Sequence, residues 1–454
     1  MSQPPFQPDT PDRTFRGRVR QRLKASPRML PDTFWTLSSQ LITAISGIVV
    51  VKIISRWVPA QDYGQASLVL GIVGLLNNLI AGPVVIAHMR MYFEHSRQGA
   101  GTSYSRAVLS LLLRTSALMS GIYLALALVY FALKNGVYLS LAIPAVLLLF
   151  AQTQLTGTLA FVEAEKRYRA LTFSYSLSKA LQVPFLVLLI FMAVRGPAAV
   201  VASQMLAAAS VVAIWSVIAS RKADGTQNNT SFTTREIATS AARVFGWSLY
   251  LFNLFGWILA TSDRYIIEHF WSAREVGIYA LNYGLWSVPY LSLNAWLEML
   301  VRARIFERAE AKDWPGVLRL LRYRTVLALA SGALVTAVIY FFGKRIAFLI
   351  IGERYWHSES LMMLICTAHF LFIIAAAFHG IFQAVKRTHA LMLISAFTAI
   401  VNVAANFVLV PTHGIVGAGW STFAAYAAMC VVTLIVGPWT ISRLESGGGS
   451  DQSV

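Results

Sequence analysis

The sequence predicts an all-α integral membrane protein, with twelve transmembrane helices arranged as two pseudo-symmetric six-helix lobes. Hydrophobic residues make up 57% of the chain and charged residues 13%, and the mean hydropathy is +0.60. A soluble domain has roughly 25% charged residues. The pattern AQDYG at 60–64 returns as AREVG at 273–277, an offset of 213 residues. This repeat predicts two homologous halves with a ligand site between them near the bilayer midplane, although five loop residues can also match by chance.

The helices are predicted from the apolar runs, because a hydrocarbon core of about 30 Å needs roughly 20 apolar residues per helix. Twelve runs meet this test: 33–55, 63–87, 107–133, 138–162, 171–194, 197–219, 243–267, 278–300, 325–350, 360–384, 390–411 and 415–440. They divide the chain into five parts: a basic arm at 1–30, an N-lobe at 31–220, a linker at 221–242, a C-lobe at 243–440 and a tail at 441–454.

Positive charge predicts the orientation of the chain in the membrane. With the amino terminus inside, cytoplasmic segments hold 27 Lys and Arg residues, and outer segments hold nine. This bias places both termini in the cytoplasm. Topology therefore explains the net charge of +18, and no nucleic-acid partner is expected.

The arm at 1–30 carries seven positive charges, and Phe15, Val19 and Leu23 recur at every fourth position. This spacing is typical of a short helix on anionic membrane lipid. A disordered basic tail that only fixes the topology fits the same residues.

The fifth helix presents polar groups on one face, because Thr172, Tyr175, Lys179 and Gln182 follow at steps of three, four and three. Lys179 lies about 12 Å deep at roughly 1.5 Å per residue. A cation at that depth needs an anion. Either a substrate supplies it, or a helix carboxylate such as Glu163 does.

Aromatic side chains form two further stripes. The stripe of the seventh helix also includes aliphatic, hydroxyl and cationic residues; its members are Trp247, Tyr250, Leu254, Trp257, Thr261 and Arg264. The stripe of the eighth helix comprises Tyr279, Tyr283, Trp286 and Tyr290. Rings beside a cation suit a ligand with apolar sugar faces and an anionic group. The alternative is the aromatic belt found at membrane interfaces.

Polar residues of the last helices have two interpretations each. A shared face of the eleventh helix, with Ser395, Thr398, Asn402 and Asn406, indicates interhelical hydrogen bonds or else a cavity wall. His369 and His379 in the tenth helix have two alternative interpretations: they carry protons during transport, or they only satisfy packing contacts.

No enzyme chemistry is indicated. The outer loops are short, no Gly-rich phosphate loop is present, and no metal-ligand spacing occurs; Cys366 and Cys430 lie in apolar runs. We therefore predict a transporter with no catalytic residue, no metal and no cofactor. Its energy would come from H⁺, from Na⁺ or from the gradient of its own substrate.

Three segments carry a resemblance to a known family: SRWVPAQDYGQASL at 55–68, SDRYIIEHFWSAREVGIYALNYGL at 262–285 and NVAANFVLVPTHGIVGAGWST at 402–422. Together they resemble the Wzx-type polysaccharide flippases. These are prokaryotic polysaccharide transporters of the multidrug, oligosaccharidyl-lipid and polysaccharide exporter (MOP) superfamily, which has a MATE-like fold.

The resemblance implies a bacterial inner-membrane protein that exposes a central cavity alternately to each side. The implied cargo is an undecaprenyl-diphosphate-linked oligosaccharide for exopolysaccharide or O-antigen synthesis. Cationic cavity residues would meet the diphosphate, which favours Lys179 and Arg264, with Lys52 and Arg56 as weaker candidates. The full predicted substrate site comprises Lys179, Arg264, Lys52, Arg56, Tyr175, Gln182, Trp257, Tyr250, Tyr283 and Trp286. We expect a monomer that works with a polysaccharide polymerase and co-polymerase.

Other functions remain open at this point. A multidrug/cation antiporter of the same superfamily often carries a buried carboxylate early in the chain, and the first helix, Thr33–Ser55, has none. A peptidoglycan-precursor flippase would share the fold. A non-transporting scaffold for polysaccharide assembly is a third alternative.

Overall fold

The computed structural model describes residues 29–97, 101–134, 139–165, 167–192, 194, 196–222, 234–310, 313–384 and 388–446. Within these ranges the chain forms long helices and no strand. The predicted basic arm, apart from residues 29 and 30, lies outside the described residues, as do most of the tail and the middle of the linker.

Six long helices form the N-lobe. They are α1 Met29–Trp57, α2 Ala60–Arg97, α3 Gly101–Lys134, α4 Leu139–Ala164, α5 Tyr168–Phe191 and α6 Pro197–Lys222. Their interior is apolar, and Leu141, Leu148 and Leu186 are fully buried. Helix α4 packs against α2, α3 and α6, while α1 packs mainly on α5.

The C-lobe repeats this number of helices. It contains α7 Thr234–Phe270, α8 Ala273–Glu310, α9 Trp314–Ile350 and α10 Glu359–Ala384, then α11 at 388–413 and α12 at 415–446. The last two are separated by Gly414, whose φ of 56° and ψ of −139° break the helix. Glycine adopts a positive φ without steric cost, so it permits this reversal.

The described residues confirm the all-α membrane fold with twelve transmembrane helices. Eight described helical stretches are long and apolar enough to cross a membrane, and one of them, His389–Gly437, includes both α11 and α12. Helices α1, α7 and α8 are not among these stretches; α7 and α8 carry buried polar residues such as Asp263 and Asn282. Helix α7 starts at Thr234, inside the stretch predicted as linker.

The two lobes touch at the bundle end where α1 passes to α2 and α7 passes to α8, hereafter the far end. There Gly64 of α2 crosses Gly277 of α8 with backbone against backbone. A Cβ atom on Gly64 would overlap the carbonyl oxygen of Ala273, and one on Gly277 would overlap that of Ala60. The contact is therefore reciprocal. It shows that the AQDYG and AREVG segments occupy equivalent places in the two halves.

Below this crossing the lobes meet along two seams. In the α2–α7 seam, the Trp257 indole donates to the Gly71 carbonyl and the Tyr265 hydroxyl to the Leu68 carbonyl, both at 2.7 Å. Helix α1 meets the C-lobe by hydrogen bonds near the far end, where the Tyr355 hydroxyl donates to the Val58 carbonyl at 2.9 Å. Deeper between α1 and α8 there is a cavity.

Candidate functional site

Three cavities lie within and between the lobes. The N-lobe cavity, of about 270 Å³, is enclosed by α4, α5 and α6. The α1–α8 cavity, of about 310 Å³, lies between the lobes and reaches α5 and α6. The α2–α7 cavity, of about 390 Å³, lies in the other seam.

Half of the residues that line the N-lobe cavity are polar and half are apolar. Its hydrogen-bonding residues come from three neighbouring helices and are Gln152, Thr156, Glu163, Tyr175, Ser178, Lys179, Gln182 and Gln204. Amides and hydroxyls both donate and accept hydrogen bonds, so this wall suits a ligand rich in hydroxyl groups. The shared face predicted for the fifth helix does line a cavity, through Tyr175, Lys179 and Gln182.

Lys179 lies where two cavities meet, because it lines both the N-lobe cavity and the α1–α8 cavity. Its side chain is exposed to this space, although protein surrounds the space on several sides. Among the described residues it makes no hydrogen bond and no ion pair, so the alternative pairing with Glu163 is not formed. Glu163 lines the same N-lobe cavity. Lys179 is therefore a cation available to an anionic ligand.

The α1–α8 cavity is mostly apolar. Small and aliphatic residues of α1 form one wall: Thr43, Ala44, Gly47, Val50, Val51 and Ile54. Val288 and Leu291 of α8 face them. Lys179, Gln182 and Gln204 complete the lining and join it to the N-lobe cavity.

The α2–α7 cavity contains the second predicted cation. Arg264 lines it together with Trp257, Asn78 and Asn253. The Arg264 guanidinium donates to the Ser67 hydroxyl of the opposite lobe at 3.1 Å. Leu70 lines both this cavity and the α1–α8 cavity, so the two are neighbours.

The other predicted site residues line none of these three cavities. Lys52 and Arg56 are exposed on α1, and Tyr250 is partly buried on α7. Tyr283 and Trp286 are 7% and 2% exposed inside the C-lobe, where the Tyr283 ring lies 5.1 Å from that of His369. The aromatic stripe of α8 thus faces the lobe interior. A role for these five residues in substrate binding stays a prediction.

The sequence interpretation missed Asp263. Only 1% of this residue is exposed, and no other acidic residue among those described is so deeply buried. The Tyr279 hydroxyl and the Arg264 backbone amide donate to its carboxylate, and Thr422 Oγ1 lies 3.3 Å from the Tyr279 hydroxyl. Asp263 lies inside the helix predicted at 243–267, and α7 continues to Phe270. The available signal was therefore a carboxylate within a predicted transmembrane helix.

Polar residues of α11 surround the same region. The Ser262 hydroxyl donates to the Asn402 side chain at 3.2 Å, and Asn406 also donates to Asn402. This confirms the interhelical hydrogen bonding predicted for that face. His369 is fully buried among tyrosine rings, and its Nδ1 lies 2.8 Å from the Ile365 carbonyl oxygen, which fits the packing interpretation.

Comparisons with known proteins match this architecture. Residues 29–301 match the family model described as Polysaccharide biosynthesis protein, and residues 248–408 match the MatE model. No match was found among curated proteins.

Solved structures share the fold at low sequence identity. The inward-facing conformation of a multidrug resistance MATE family transporter of the MOP superfamily is 16% identical with a TM-score of 0.66, and the match covers 90% of this chain and 96% of that one. The outward-facing conformation of a multidrug resistance MATE family transporter of the MOP superfamily is also 16% identical, with a TM-score of 0.63, and the match covers the same shares of the two chains. A MOP superfamily transporter from Pyrococcus furiosus is 15% identical with a TM-score of 0.64, and the match covers 90% of this chain and 96% of that one.

Proposed function

Because this chain belongs to the polysaccharide biosynthesis protein family, we propose that it carries an undecaprenyl-diphosphate-linked oligosaccharide from the inner to the outer leaflet of the bacterial inner membrane. Its relatives of known fold are transporters, and the chain is a transporter of the MOP superfamily. The two lobes would expose the cavities alternately to each side.

The observation that carries the proposal is Lys179. It is a cation inside the membrane-spanning bundle that faces open space and has no anionic partner among the described residues. An intramembrane charge is costly unless another charge compensates it. A diphosphate supplies that compensation at the junction of the two cavities.

The two cavities around Lys179 suit the two remaining parts of such a cargo. The amides and hydroxyls of the N-lobe cavity match sugar hydroxyls. The aliphatic wall of the α1–α8 cavity matches the polyprenyl chain, which would stay in the bilayer beside the seam. The diphosphate joins these parts chemically, and Lys179 joins the two cavities.

We place both termini in the cytoplasm, in agreement with the distribution of positive charge. The far end, where Gly64 crosses Gly277, then faces outward and is closed. The cavities would load from the cytoplasmic side.

Asp263 is our candidate site for a coupling ion. A carboxylate at this depth takes up H⁺ or Na⁺ readily, because either ion removes the cost of a buried negative charge. An undiminished rate of transport in vesicles that have neither an H⁺ gradient nor a Na⁺ gradient would contradict this assignment.

The experiment that tests the function combines purified protein in vesicles with polymer export in cells. Lys179→Ala should lower translocation of the lipid-linked oligosaccharide at least tenfold, because the diphosphate loses its counter-charge. Lys179→Arg should retain part of the activity. Arg345→Ala is the control, since Arg345 is an exposed cation on α9 that lines none of the three cavities and was not predicted in the site.

Unchanged polymer yield from Lys179→Ala, with the protein present at normal amounts, would remove Lys179 from the site. A vesicle assay with the peptidoglycan precursor in place of the oligosaccharide separates the two lipid-linked cargoes. Transport of the precursor alone would replace the proposed cargo.

A second candidate is a multidrug antiporter, which the MatE match over 248–408 favours. Its cationic substrates would meet Lys179 and Arg264, which repel them. Deletion of the gene should therefore leave drug sensitivity unchanged and abolish the surface polysaccharide. The reverse pair of results would favour the antiporter.

A further inference from the structure

Arg264 occupies a position between two partners. On one side its guanidinium holds Ser67 across the α2–α7 seam. On the other side it lines the α2–α7 cavity with the amides of Asn78 and Asn253. The same side chain thus joins the lobes and faces a space that can hold a ligand.

The hydrogen bonding of Arg264 is incomplete in this arrangement. Its Nε is buried and has no hydrogen-bond partner, and its only side-chain acceptor among the described residues is the neutral hydroxyl of Ser67. The adjacent Asp263 carboxylate accepts from Tyr279 and from the backbone. A guanidinium has five donors in a planar fork, and it binds phosphate or carboxylate oxygens more strongly than a hydroxyl. Arg264 therefore prefers an anion to Ser67.

We propose that Arg264 is a latch released by the ligand. In the empty protein it binds Ser67 and keeps the α2–α7 seam closed; when an anionic phosphate group enters the α2–α7 cavity, Arg264 leaves Ser67 for that group and the lobes separate at the far end. The identity of the anion, a lipid-linked diphosphate, rests on the proposed function. It would reach Arg264 after Lys179, because the α1–α8 and α2–α7 cavities are neighbours that share Leu70.

When Arg264 exchanges Ser67 for the ligand, the equilibrium between the closed and the open seam shifts, because the bond to Ser67 stabilises the closed state only. A ligand moves a two-state equilibrium by its difference in affinity for the two states. The bond between Arg264 and Ser67 exists only while the seam is closed, so the closed state competes with the ligand for Arg264. The bonds from Trp257 and Tyr265 to α2 involve backbone carbonyls and are not exchanged.

The test measures the distance between spin labels at Gln61→Cys and Ser360→Cys, which are exposed at the far end in opposite lobes. The background carries Cys366→Ala and Cys430→Ala, and the full chain is held in lipid nanodiscs with or without undecaprenyl diphosphate. The wild-type distance should lengthen with this lipid. Arg264→Gln should bind it at least tenfold more weakly. Its distance should be longer than that of the empty wild-type protein, because the bond to Ser67 is lost, and should not lengthen further with the lipid. Arg264→Lys should keep part of the response.

Two variants separate the latch from a general weakening of the seam. Ser67→Ala should raise the affinity for undecaprenyl diphosphate several-fold, because the Ser67 hydroxyl no longer competes for Arg264. It should also lengthen the distance without ligand, because the bond that keeps the seam closed is lost. Tyr265→Phe is the matched control: it removes another bond of the same seam, so it raises the unliganded open fraction and leaves the response to the lipid intact.

The outcomes distinguish the latch from the function. Binding of undecaprenyl diphosphate with no change in distance overturns the latch alone, as does a normal response in Arg264→Gln or a weakened affinity in Ser67→Ala. If the wild-type protein does not bind the lipid, the proposed function is overturned together with the latch.

Discussion

The two lobes share a helix count and a repeated segment, yet they place their polar side chains differently. In the N-lobe, Lys179 and Gln204 open onto cavities. In the C-lobe, Asp263 and Tyr279 are enclosed by helices and satisfy one another. The difference teaches that one backbone plan can serve two tasks. Lys179 and Gln204 of the N-lobe are available to a ligand, whereas Asp263 and Tyr279 fix helices of the C-lobe. The residues of α7 that line the α2–α7 cavity, Arg264 among them, are the exception in the C-lobe.

The largest expected effect comes from substitutions at the backbone contact between the two lobes, where Gly64 crosses Gly277. Gly64→Ala or Gly277→Ala places a methyl group on a backbone carbonyl, so the lobes cannot approach, and we expect loss of transport and of folded protein. Export and the yield of monodisperse protein measure this.

Each of these variants has a matched control on its own helix. A Cβ atom on Gly74 of α2 or on Gly284 of α8 would meet nothing within 4 Å. Gly74→Ala and Gly284→Ala should therefore be tolerated, with a gain of up to about 1 kcal/mol from helix propensity. Equal damage from all four substitutions would show that the crossing has no special role.

The next effect concerns the enclosed polar centre of the C-lobe. Asp263→Ala leaves the Tyr279 hydroxyl with Thr422 Oγ1, at 3.3 Å, as its remaining side-chain partner, and the loss of a hydrogen bond to a charged group costs about 1.5–3 kcal/mol. Asp263→Asn keeps an acceptor for Tyr279 and should lose less stability while losing the charge. Thermal unfolding in detergent ranks the variants; an order with Asn below Ala would be inconsistent with this role.

The smallest expected effect comes from a pair of tyrosine substitutions, one in each lobe, which compares stability with ligand affinity. Tyr283→Leu should lower the unfolding temperature and leave the affinity for undecaprenyl diphosphate unchanged, because its ring packs inside the C-lobe. Tyr175→Leu should weaken that affinity about threefold and leave stability unchanged, since Tyr175 lines the N-lobe cavity and is 47% exposed. The opposite pattern would reverse the assignment of tasks to the lobes.

The sequence predicted the features that periodicity and length determine. The twelve crossings follow from apolar length, the equivalence of the two halves follows from the repeat of 60–64 at 273–277, and the common face of Tyr175 and Lys179 follows from helical spacing. Spacing shows which residues share a face, and it does not show what that face meets.

That limit explains the missed features. Tyr279, Tyr283 and Trp286 share a face as predicted, but it packs into the C-lobe instead of lining a cavity. Asp263 lies inside the helix predicted at 243–267, but spacing alone did not show that its carboxylate is buried; its partners on α8 and α12 show this. Both facts depend on contacts between distant parts of the chain.

The crossing of Gly64 and Gly277 has a consequence for the symmetry of the protein. Each segment lies with its glycine against the carbonyl of the other, so the surface is complementary to itself. Self-complementary patches are what a two-fold dimer requires. The two halves of this single chain therefore meet here as two copies of one subunit meet across a two-fold axis.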